Sequence, residues 1–82
     1  MLEEFDLSYC AKLGEWGSVF AVPSSVVDKH IKLVGSAQLK VLLWILRNSD
    51  KNFSENDISN SLSIHEEDVK DAIGYWIETG VL

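Results

Sequence analysis

Few side chains in this sequence have the type and spacing for covalent chemistry or metal binding. The imidazole and thiol ligands available are His30, His65 and Cys10, and no two of them fall at metal-ligand spacing. Glu66 and Glu67 are adjacent, so a helix projects them in different directions, which makes them poor partners for acid–base work. Gly14-Glu15-Trp16-Gly17 lacks both the length and the Lys-Ser/Thr of a phosphate-binding loop. The expectation is therefore no enzyme, no cofactor and no metal. What remains is charge and apolar surface, the means by which a protein holds another macromolecule.

Charge is unevenly placed. The chain carries a net charge of −6, but residues 1–22 contribute −3, residues 23–50 +2 and residues 51–82 −5. Basic character is concentrated in the middle, at Lys29, Lys32, Lys40 and Arg47. Those four form a weak candidate patch for nucleic acid or for an acidic segment of another copy, although a few charges on two helices are ordinary surface.

Eighty-two residues make one domain. With 46% hydrophobic and 24% charged residues the composition is globular rather than disordered. Three Trp, three Phe and two Tyr supply the large rings a small core needs. A lone cysteine excludes a disulfide within the chain and suits a reducing compartment. The acidic start Met1-Leu2-Glu3-Glu4-Phe5-Asp6 does not resemble a signal peptide, and the apolar run Val41–Leu46 is too short to span a bilayer. A cytoplasmic protein with no membrane contact is expected.

Elements must position these charges. Residues 1–22 lack helical periodicity. Phe5-Asp6-Leu7-Ser8-Tyr9 alternates, and Val19-Phe20-Ala21-Val22 is a short apolar run, so this stretch is expected to be an arm with short strands. Residues 23–82 are expected to be the helical core. A first helix follows Pro23, with Ser25 and Asp28 at capping-box spacing, Val27, Ile31 and Val34 on its inner face, and Gly35 at its end. A second opens at Ser36 and is apolar nearly all round, which places it at the centre of the fold. A third is announced by Ser54-Glu55-Asn56-Asp57, with Ile58 and Leu62 inward. A fourth is expected from the similar Ser63-Ile64-His65-Glu66, burying Val69, Ala72, Ile73 and Trp76 and ending at Gly80. Val81-Leu82 reads as the first step of a strand. Two short helices joined by a tight turn against an apolar helix predict a mainly α fold with a small β component. The expected form is a winged helix-turn-helix with an N-terminal strand or arm, its wing hairpin expected beyond Leu82.

Three blocks carry a family resemblance. They are Phe20-Ala21-Val22-Pro23-Ser24-Ser25-Val26-Val27-Asp28, then Gln38-Leu39-Lys40-Val41-Leu42-Leu43, then Glu66 to Ile73 with Tyr75-Trp76 and Gly80-Val81-Leu82. Together, over residues 19–82, they resemble the N-terminal domain of DnaD-like replication proteins of bacteria and their phages. The resemblance implies a winged-helix domain for self-association and for contact with replication initiation proteins in the primosome. It also implies that DNA is bound through other parts of the full-length protein. It carries over no individual contact residue.

The charge of the fourth helix bears on whether such a domain reads DNA. With Val69 inward, the wheel turns Glu67, Asp68, Lys70, Asp71, Gly74, Tyr75 and Glu78 outward. A phosphate-lined groove repels that face, and it has no Arg to take a guanine edge. Glu67, Asp68, Asp71, Tyr75 and Glu78 are candidates for docking a basic protein partner, against the plainer reading of a solvated acidic face. Trp16, Phe20 and Val22 are candidates for self-association as a homodimer or higher oligomer, against ordinary core. Trp44 and Trp76 are expected in the core. The function expected is protein–protein assembly during replication initiation. The alternatives are a winged-helix DNA-binding regulator and a structural fragment inert without the rest of its chain.

Overall fold

The computed structural model describes residues 19–82. Described residues fall mainly in helices: a helical segment over residues 24–30, then α1 (Ser36–Arg47), α2 (Glu55–Leu62) and α3 (Glu66–Glu78). The expected arm lies outside the described residues up to residue 18, which includes Phe5–Tyr9 and Trp16. Residues 19–23 carry no regular structure, and no strand occurs among the described residues.

The core forms where three helices press on α1. On one side of α1, Val41 and Ile45 pack with Ile58 of α2 and with Val69 and Ala72 of α3. On the other, Leu42 packs with Val26 and Trp76. Adjacent positions 41 and 42 thus serve different clusters, which explains why α1 has to be apolar over most of its circumference. Trp76 is fully buried, and its indole N–H donates to the Gln38 carbonyl at 2.8 Å, so ring burial leaves no orphaned donor. Leu43, however, is 36% exposed and lies outside both clusters.

The helix starts follow local chemistry in two cases. At α2 the capping box is present: Asp57 N–H donates to Ser54 Oγ at 3.2 Å, and Ser54 N–H donates to the Asp57 carboxylate at 2.9 Å. α1 opens at Ser36, as expected, with Gly35 as its cap residue, and the Gly35 N–H donates to the Gln38 side chain at 2.8 Å. The expected cap at Ser63 is corrected. Ser63 closes α2 in the left-handed region (φ 56°), the Ile64 N–H bonding back to the Ser59 carbonyl, and His65 is the α3 cap residue without a side-chain bond. Glu66, Glu67 and Asp68 in the first turn of α3 interact favourably with the positive end of its dipole instead.

Two further expectations are corrected. The first helix buries Val26, not the stripe of Val27 and Ile31, which stand 58% and 45% exposed. Residues Val26–His30 form a π-helical turn, with the Ile31 N–H donating to the Val26 carbonyl at 2.8 Å. Val26 is buried and His30 and Val34 are half-buried, Val26 and Val34 in the cluster of Trp76 and His30 against its ring, so the three face the core together. Contact of this stripe with Trp76 decides which of two apolar faces goes inward. Ser25 starts the turn without a side-chain bond, so its box with Asp28 does not form.

At the other end, Val81-Leu82 does not begin a strand. Gly80, at φ 83°, donates to Ile77, while Val81 donates to Trp76 at 3.0 Å, a Schellman closure with Val81 packed on the Trp76 cluster.

Candidate functional site

α3 is the element that presents the candidate docking residues. Its inner arc, Val69, Ala72 and Trp76, is fully buried, which fixes the orientation of everything else on it. Glu67, Asp68, Asp71 and Glu78 are exposed, as expected, and Glu66 joins them. Five carboxylates and one lysine therefore occupy residues 66–78. Lys70 lies 4.0 Å from Glu55 of α2, both side chains well exposed, so this pair adds little stability.

Tyr75 departs from a simple exposed position. It is half-buried, and its hydroxyl lies 3.0 Å from His30 Nδ1, with the rings edge to face at 5.8 Å. His30 also meets Trp76 edge to face at 5.3 Å. This joins the π-helical turn to one flank of α3, a contact between residues 45 apart that no local pattern announces.

The remaining candidates separate. Phe20 is 43% exposed, whereas Val22 is half-buried against the Val26, Leu42 and Trp76 cluster and is not a free edge. Trp16 lies outside the described residues. Lys29, Lys32, Lys40 and Arg47 are all exposed. Lys40 and Arg47 sit two turns apart on one side of α1, while Lys29 and Lys32 belong to the π-helical turn and the turn after it. Trp44 is half-buried, edge to face with Phe53 at 5.2 Å, and Trp76 is core.

Two features of the α3 face do not follow from helical periodicity. Ile77 is 58% exposed, and a side chain built at Gly74 would meet nothing within 4 Å. Gly74 was visible as an outward residue, but open space around it is a tertiary property. A polar hollow of about 380 Å³ lies over the α2–α3 turn, lined by Ser59, Asn60, Ser63, Ile64, His65 and Glu66. No group of three His, Cys, Asp or Glu residues able to hold a metal occurs among the described residues. None of their helices is long and apolar enough to cross a membrane.

Comparison with family models, with curated proteins and with solved structures returns no match for this chain.

Proposed function

We propose that this protein is a non-enzymatic, cytoplasmic assembly module of a DnaD-like replication initiation protein. It associates with itself and docks other initiation proteins during primosome assembly. The observation that carries the reading is the charge of α3: Glu67, Asp68, Asp71 and Glu78 stand exposed on a well-fixed helix, with Lys70 already beside Glu55. Such a face favours a basic protein surface over phosphates. The process, replication initiation, is supported by the sequence resemblance across residues 19–82, and the partners within it follow from that resemblance.

A second reading, a winged-helix DNA-binding regulator, draws on one specific arrangement. α2 and α3 are joined by three residues and packed on α1, as in a helix-turn-helix. Lys29, Lys32, Lys40 and Arg47 would then contact phosphates beside the acidic helix.

Fluorescence anisotropy of labelled single- and double-stranded DNA, titrated with this chain at low salt, separates the two. The assembly reading expects a flat response. Saturable binding that weakens steeply as salt rises puts the DNA-binding reading in its place.

A further inference from the structure

Two exposed apolar faces of opposite charge stand uncovered among the described residues. The first belongs to the π-helical turn and the residues after it. Val27, Ile31 and Leu33 are 58%, 45% and 76% exposed. Lys29 and Lys32 are exposed among them, with Asp28 as the accompanying carboxylate.

The second face is centred on Gly74. On a helix the neighbours of residue 74 lie three, four and seven positions away, which here are Glu67, Lys70, Asp71, Ile77 and Glu78. Ile77 is 58% exposed. Lys70 is within ion-pair range of Glu55, and none of the three carboxylates around Gly74 has an ion-pair partner among the described residues. The missing side chain leaves a slot between acids, with an isoleucine beside it. Nothing within 4 Å of that slot accounts for a glycine, a poor helix former, in the middle of α3.

The two faces do not meet in one chain. Tyr75 marks the flank of α3 that abuts His30. Gly74 and Ile77 share the stripe of Lys70, which faces α2 through Glu55. Val27 and Ile31 follow the inward Val26 and His30 by one residue and point away from that contact. Contact between the faces therefore joins two chains.

We propose that this protein self-associates head to tail. Residues 27–33 of one copy dock on the Gly74–Ile77 face of the next, Val27 and Ile31 covering Ile77 and the slot while Lys29 and Lys32 meet Glu67, Asp71 and Glu78. The inference rests on the self-association in the function proposed above and moves its contact away from Phe20. A second copy is the occupant because the chain itself carries the complementary surface, apolar with lysines against apolar with carboxylates. Such a heterologous contact leaves one free face of each kind at every end, so assemblies grow with concentration or close into rings. Salt weakens the charged part of the contact.

Sedimentation of the full 82-residue chain across a concentration series tests this, with three variants: Ile31→Asp with Lys32→Asp, Gly74→Gln with Ile77→Gln, and Phe20→Asp. All replaced residues are exposed, and circular dichroism checks that each variant keeps its helices. The wild type should rise gradually in weight-average mass, by about twofold or more, and less so in high salt. Each double variant alone should stay monomeric. Mixed in equal amounts they should form a heterodimer and nothing larger, because each keeps the face the other has lost. The Phe20→Asp variant should assemble like the wild type. A mixture that stays monomeric while the wild type associates overturns head-to-tail docking. Loss of assembly in Phe20→Asp alone does the same and leaves self-association standing through another surface. A wild type that is monomeric at every concentration removes both.

Discussion

Replacing Gly74 by Ala should stabilise the monomer. Glycine in a helix interior is less favourable than alanine by about 1 kcal/mol, because its backbone loses more freedom on folding. That gain is normally offset where a new methyl group meets packed atoms. Here a Cβ at residue 74 meets nothing within 4 Å, and the residue is exposed, so neither clash nor burial alters the sum. For a domain of this size, about 1 kcal/mol corresponds to a rise in Tm of roughly 4–8 °C. In urea the midpoint should move up by roughly 0.5–1 M with the slope unchanged, since no additional surface is buried. Both measurements belong at micromolar concentration and high salt, where association is suppressed. A midpoint that falls, or one that stays within error of the wild type, would show instead that the backbone around residue 74 needs glycine for a reason internal to the fold.

Three further substitutions probe the elements that hold α3 in place. Trp76→Phe removes the indole bond to the Gln38 carbonyl and part of a fully buried ring, and should cost roughly 2 kcal/mol in urea denaturation; a loss well under half of that would mean the ring is less confined than described. Ser54→Ala deletes the hydroxyl that accepts the Asp57 N–H and should cost about 1 kcal/mol, read as a lower thermal midpoint with α2 fraying first in hydrogen exchange. Ser63→Gly relieves a left-handed residue at φ 56° and should raise stability by about 0.5–1 kcal/mol; a decrease would show that the Ser63 side chain supports the turn.

Local chemistry was legible where it was self-contained. The Ser54–Asp57 box, the Gly80 terminus, the span of α1 and the inward Val69, Ala72 and Trp76 are each set within a few residues of sequence. Where two local solutions compete, tertiary contact chooses. Residues 26–34 offer two apolar stripes one residue apart, and the aromatic contact of His30 with Tyr75 and Trp76 selects the one containing Val26. Ser63 could cap α3 or close α2, and with three residues between the helices the left-handed turn takes it. Val81 looked like a strand residue because its type favours strands, but the carbonyls left free at the end of α3 claim its N–H first.

The candidate face divides the same way. Its acids could be placed from periodicity alone, since a wheel anchored on Val69 turns them outward. The exposure of Ile77 and the empty space at Gly74 depend on what α2 and the π-helical turn leave uncovered, and so does the partial burial of Tyr75.

An NMR map of the backbone amides of α3 would show directly whether this helix holds protein or DNA. The isotopically labelled chain would be titrated first with unlabelled chain and then, separately, with duplex DNA at low salt. Signals of Asp71, Gly74, Ile77 and Glu78 should shift as protein is added, together with those of residues 27–33, and α3 should be silent to DNA. Shifts along α3 on addition of DNA, or an α3 unmoved by protein, would overturn the assignment of this helix to protein contact.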